Sequence, residues 1–202
     1  MSVMRAMGLP ENWTQDGMLT VEDMEDMPDD EFRYELDDGM LVVSPAPSLP
    51  HQIAVTRLAV ALNAACPPGL LVVTGPGVNI SKFQHRVPDL VIMRAESITP
   101  MFMTDPPVLA VEVASPRTRL YDRGRKREVY ERFGIPSYWI VDAGQEEPSL
   151  TALDLRRGKY TQTARVAAGE AFPAAKPFPV TIVPADLVAT GSGVTPEGAG
   201  RA

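Results

Sequence analysis

Three residues between Pro88 and Tyr130 have types and spacing that could do chemistry together: Asp89 in VPDLVIM, Glu112 in PVLAVEVAS and Lys126 in YDRGRKREVYERFG. An ionised carboxylate withdrawn from water must be paired, hydrogen-bonded or bound to a metal; otherwise it protonates. Two such acids about 5 Å apart repel by roughly 3 kcal/mol at an effective dielectric of about 20, and a divalent cation between them reverses the sign. Ligation by oxygen alone favours magnesium or manganese, with water and a substrate phosphate completing an octahedral shell.

The elements that must position these groups can be read from periodicity. Side chains alternate faces along a strand, so Asp89 shares a face with Val91 and Met93, and Glu112 shares one with Ala110 and Ala114. Both runs are otherwise almost continuously apolar, the pattern of strands covered on both sides. On a helix, Lys126 shares a stripe with Asp122, Val129, Tyr130 and Phe133, while Arg125, Glu128 and Arg132 fall on a face that reads as solvated. Taken singly, each residue has a plainer reading. An acid at a strand end often pairs with a nearby arginine, and a lysine often lays its stem on apolar surface with its ammonium in water.

Composition places these elements in one globular domain: 202 residues, 45% hydrophobic and 22% charged. No apolar run approaches the ~20 residues that span a bilayer, and the N-terminus lacks the basic-then-apolar layout of a secretory signal. A single cysteine, Cys66, excludes an internal disulfide and a cysteine-based zinc site, and fits a cytoplasmic protein. The net charge of −7 argues against a general nucleic-acid coat protein. The charge is uneven, however, with acids crowded in VEDMEDMPDDEF and arginines between Arg117 and Arg132, the region that would attract a phosphate-bearing ligand.

In chain order, Thr20 and Asp23 open a short acidic helix with a capping-box-like start. FRYELDDGMLVVS then reads as a hairpin about Asp38-Gly39, with Glu35 on its first strand. SPAPSLP leads into an amphipathic helix from about His51 to Ala65, with Ile53, Leu58, Ala61 and Leu62 along its apolar side. LLVVT and GVNIS are strands, and a turn around Phe83 to His85 leads into the Asp89 strand. After the Lys126 helix, which stops at Gly134-Ile135-Pro136, SYWIVDA is a buried strand and LTALDL and KYTQTARV are two more. The expected organisation is a loosely ordered segment over 1–19, a folded domain over 20–189 and a disordered tail over 190–202.

YELDDGMLVV, SPAPSLPHQ, VPDLVIM and VLAVEVASPRTRLYDRGRKREVYERFGIPSYWIVD, in that order, resemble the Uma-two family, a group of restriction-endonuclease-like proteins within the PD-(D/E)XK nuclease superfamily. The resemblance implies an α/β (α+β) fold: a restriction-endonuclease-like mixed β-sheet flanked by helices, with an N-terminal β-hairpin. It also implies a Mg2+- or Mn2+-dependent hydrolytic site and DNA as substrate. Asp89 follows Pro88 as the acid of the proline–aspartate motif, and Glu112 is the acid of the second motif. The backbone carbonyl of Val113 is an implied further metal ligand.

Ala114 stands where the superfamily's lysine is usual, which makes Lys126 the relocated lysine. Glu35 is implied as an additional ligand or as the group that orients a water, beside the plainer reading of a solvated strand-edge acid. His51 matches a family histidine but also reads as a helix-start residue that caps or packs, and Asp122 reads as a holder of Lys126. A homodimer would suit the cutting of two strands by one-site subunits. Two rival readings stay open: a non-catalytic binding or assembly module that retains the fold, and a hydrolase of another phosphate ester.

Overall fold

Asp38 and Gly39 adopt φ of +49° and +81°, the backbone twist that a two-residue hairpin turn requires. They join β1 (Arg33–Asp37) to β2 (Met40–Ser44), with Asp37 opposite Met40. The computed structural model describes residues 18–114, 122–144 and 147–189. Most of the expected N-terminal lead and the whole expected tail, 1–17 and 190–202, lie outside the described residues.

The hairpin belongs to a four-stranded sheet of order β2-β1-β5-β4, in which β4 is Val78–Ser81 and β5 is Gln84–Arg86. The expected turn through Phe83 to His85 is shorter than that. Gln84 already pairs with Asp37 and with Ser81, and His85 with Leu36 and Asn79. A three-residue strand is too short to show a period, so only its pairing partners reveal it. Alternation along β1 separates its roles. Tyr34 and Leu36 pack with Leu19 and Met24 in a small apolar cluster, and Arg33, Glu35 and Asp37 take the opposite face.

The larger sheet has the order β10-β9-β8-β7-β6-β3. Its strands are β3 (Leu70–Thr74), β6 (Leu90–Arg94), β7 (Leu109–Ala114), β8 (Ser137–Asp142), β9 (Ser149–Arg156) and β10 (Lys159–Ala167). Only β7 and β8 run parallel; the other described pairings are antiparallel, which makes the sheet mixed. A ribbon of β11 (Phe172–Ala174) and β12 (Val180–Ile182) and a short helix α3 (Pro184–Val188) complete the described chain.

One face of this sheet is covered by α1 (Leu49–Ala65), whose Ala54, Leu58 and Leu62 pack on Leu90, Ile92, Leu109 and Val111. Ile53, read as part of the inward stripe, is exposed, and Ala54 takes the inward place. The stripe is set by where the sheet lies, and a run as apolar as LAVAL offers more than one inward face. The opposite face carries Ala110, Ala114, Tyr138 and Ile140, and is covered by α2 (Arg127–Phe133) through Val129 and Tyr130. Among the described residues no helix is long and apolar enough to cross a membrane.

Candidate active site

Strand register brings the two motif acids together. Leu90 pairs with Val111 and Val91 with Ala110, so the same register continued by one residue sets Asp89, just ahead of β6, across from Glu112 on β7. Both acids then stand on the α2 side of the sheet, and both are almost wholly buried. Their contacts differ. Asp89 Oδ1 takes the Arg33 guanidinium at 2.8 Å, and its Oδ2 accepts the Val113 backbone N–H at 2.8 Å and a bond from His51 Nε2 at 3.0 Å. Glu112 Oε1 accepts the Tyr130 hydroxyl at 2.7 Å, and its Oε2 accepts Lys126 Nζ at 2.9 Å.

Lys126 reaches Glu112 from a five-residue π-helical turn, Asp122–Lys126, that runs directly into α2. The sequence pattern reads as one continuous α-helix here. The Tyr138 hydroxyl ties this turn to the sheet, donating to the carbonyl of Asp122 at 3.0 Å. Lys126 is buried, with Glu35 at 3.4 Å and Asp122 at 3.8 Å completing its surroundings. Glu35 is therefore no solvated edge residue: it is buried on β1, and its Oε1 also accepts the Val87 N–H at 2.9 Å.

FRYELDD carries the signal for further contacts that its charged face does not reveal by itself. Arg33, Glu35 and Asp37 occupy one face of β1, and each meets an opposite charge on a different element: Asp89, Lys126 and Arg125 respectively. Arg125, read as part of a solvated face, instead donates to Asp37 from Nε at 3.0 Å and from Nη2 at 2.8 Å, and it also pairs with Asp38. The fully buried Arg86 contacts the same Asp37 at 2.6 Å. A turn carrying Lys126 is thus clamped to the strand carrying Glu35.

Four buried acids, Glu35, Asp89, Glu112 and Asp122, face Lys126 and the partly exposed Arg33. Burial alone would push Asp89 up, but His51, Arg33 and Lys126 hold it well below the usual carboxylate range. For Lys126, burial works against the charge, and Glu112, Glu35, Asp122 and Asp89 together overcome it and hold the pKa above the ordinary lysine range. The shortfall of positive charge falls on Glu112. Burial pushes it up to about 8, Lys126 opposes this, and Asp89, Asp122 and Glu35 add to the rise.

That shift predicts the pH dependence of the metal-free protein. The folded chain keeps the Glu112 proton up to about pH 8, whereas the unfolded chain releases it near the ordinary value of 4.5. Stability is then lost as pH rises through that window, at up to ~1.4 kcal/mol per pH unit from this group. Denaturant titrations in EDTA at pH 5.5 and 7.5 are expected to show the loss, and Glu112→Gln to flatten it. A wild-type protein equally stable at both pH values would contradict the assignment.

Among the described residues no three His, Cys, Asp or Glu side chains form a ready cage for a metal ion. The chemistry of the donor set nevertheless fits a hard divalent cation. Asp89 and Glu112 offer carboxylate oxygens from facing strands, and the surplus of acid that protonates Glu112 is what such a cation would relieve. Val113, the third implied ligand, stands next to Glu112 on β7 and contacts Asp89 through its N–H.

A sequence family described as "Uma2: Putative restriction endonuclease" matches residues 21–186. A crystal structure described as a putative nuclease belonging to DUF820, from Anabaena variabilis ATCC 29413, superposes with a TM-score of 0.66 at 15% identity. The match covers 84% of this chain and 97% of that one, and at such identity it is a likeness of fold. No curated protein matches the chain.

Proposed function

The chain belongs to the Uma2 family of restriction-endonuclease-like proteins, and on that premise we propose that it is a metal-dependent endonuclease hydrolysing phosphodiester bonds in DNA. The observation that carries this reading is the 2.9 Å contact of Lys126 Nζ with Glu112 Oε2. The usual lysine position is occupied by Ala114, and the cation arrives at the motif acid from the helical crossover instead.

Asp89 and Glu112, with the Val113 carbonyl, would hold magnesium or manganese. When bound, such an ion polarises the phosphate and acidifies water. Lys126 is held in its charged form by the surrounding acids, so it donates hydrogen bonds and stabilises charge growing on phosphate oxygens; it does not take the proton from water. Tyr130 fixes the Glu112 carboxylate from the other oxygen, and His51 and the Val113 N–H fix Asp89. Arg33, on Asp89 and a quarter exposed, is the cation placed to meet the substrate phosphate from the solvent side. Glu35 shares Lys126 with Glu112 and orients it. A two-fold dimer would present two such sites to the two strands of a duplex.

Calorimetric titration with magnesium and with manganese, beside plasmid cleavage in the same buffers, tests the reading. The wild type is expected to bind and cut, and Asp89→Asn to lose both. Duplex affinity should fall steeply with added salt, as phosphate contacts require. Binding without DNA cleavage but with turnover of a small phosphodiester would favour the other ester substrate. Absence of specific metal binding with DNA present would favour the non-catalytic module.

A further inference from the structure

Beside the acid cluster lies a cavity of about 430 Å3 that the reaction outlined above leaves unused. It lies within the roughly 300–1,000 Å3 of pockets that bury a small ligand. Its continuity with the site is direct. Arg33 and Val87 line it, and the same Arg33 Nη1 bonds Asp89 Oδ1 at 2.8 Å and the Val87 carbonyl at 3.3 Å. A ligand seated there is one side chain away from the motif aspartate.

The walls suit a flat ring. Phe102 meets His85 edge-on, with centroids 4.7 Å apart, and both line the cavity with the half-exposed Phe32 and the adaptable Met27. Gly77 shapes the close packing of this wall, since a Cβ there would stand 2.4 Å from Phe102 and 2.9 Å from His85. Past Arg33, which stands at the mouth beside Asp89 and meets the strand's phosphate there, the walls offer a phosphate nothing: burial pushes His85 down to about 4 so that it is neutral, and Asp29 adds a negative charge to the lining. His85 Nδ1 lies 2.6 Å from Asn79 Oδ1, so Nδ1 carries the proton and Nε2 is left as an acceptor for a ring N–H or an amino group.

We propose that this cavity receives one unstacked nucleobase of the substrate strand, next to the phosphate presented to Asp89 and Glu112, so that unpaired or locally melted DNA is the preferred substrate. The proposal rests on the nuclease reading and deepens it. A paired, stacked base cannot enter a side cavity, so occupancy selects strands whose bases are already free, and stacking on aromatic side chains tolerates any base.

The test compares a labelled single strand with its matching duplex, by cleavage in manganese and by fluorescence anisotropy in calcium. The variants are Met27→Trp, which fills the cavity, and Phe32→Ala, which removes its exposed rim; both lie outside the acid cluster. Wild type is expected to prefer the single strand by about tenfold, in line with the strength of base–aromatic stacking. Met27→Trp should erase that preference and Phe32→Ala reduce it, with duplex cleavage unchanged in both and thermal melting confirming the fold. Cleavage with no strand preference, or a preference that survives both variants, overturns the cavity proposal and leaves the nuclease intact. Failure to bind or cut any DNA overturns the nuclease reading, and the cavity's assignment with it.

Discussion

Glu112→Gln is expected to abolish cleavage while leaving the metal-free fold at least as stable as the native chain at pH 8. Glutamine keeps the shape: its carbonyl oxygen can accept Lys126, and its amide can meet the Tyr130 oxygen, so both hydrogen bonds of the buried side chain survive. What it removes is a carboxylate that burial and three neighbouring acids already disfavour in its charged form. Loss of one of two metal-holding carboxylates should lower the rate on the order of a thousandfold or more, the scale seen when one strong electrostatic contact to the transition state is lost.

Lys126→Met supplies the opposite limb of the experiment. It strips Glu112, Glu35 and Asp122 of the cation they share, and breaking a buried pair from one side is expected to cost about 3–5 kcal/mol. Thermal melts in EDTA beside plasmid nicking separate the two effects. An active Glu112→Gln, or a Lys126→Met as stable as wild type, would remove the basis for both roles.

The second large effect is expected at Arg86, some distance along the same charged network. Its side chain is fully buried, with Nη1 donating to the Leu36 carbonyl at 3.1 Å and Nη2 2.6 Å from Asp37 Oδ1. Asp37 carries the load from both sides: burial would raise its pKa, but Arg125, Arg86 and Gln84 hold it well below the usual carboxylate range. Arg86→Met fills much of the volume yet removes the donor to the Leu36 carbonyl and one of the two arginines that hold Asp37, for a loss of about 3–5 kcal/mol. Cleavage should fall as well, because Asp37 is what Arg125 grips to hold the turn bearing Lys126. Lys159→Ala is the matching control. Its 2.7 Å pair with Glu131 is mostly exposed on the lysine side, and such pairs contribute no more than about 1 kcal/mol. Equal unfolding midpoints for the two variants would show that Arg86 does not pin the strand.

Much of this was legible where a local period decides the outcome. Alternation in VPDLVIM and AVEVA put each acid on a definite face, and Asp38-Gly39 set the hairpin register. The mixed sheet flanked by helices followed from the family resemblance. Illegible features were those decided by distant partners. Gln84–Arg86 is a strand only because Asp37 and Ser81 pair with it. The π-helical turn uses residues that would serve an ordinary helix as well. Arg125 has the spacing of a solvated side chain and becomes a clamp because Asp37 and Asp38 come to it. Arg33 and Asp37 lay in plain view two positions either side of Glu35, but a charged face on a strand reads as solvent until another sheet covers it.

The parallel junction of the sheet has a meaning in terms of chain entropy. A turn of a few residues can join antiparallel neighbours, whereas β7 and β8 require a long crossover, the loop of this sheet whose ends are dearest to bring together. Asp122, Lys126 and Tyr130 ride on that crossover. The closure that sets Glu112 opposite Ile140 is thus the one that delivers the ammonium to it. Registering β7 with β8 joins Glu112 to its counterion in the same closure that orders the longest connection of the sheet.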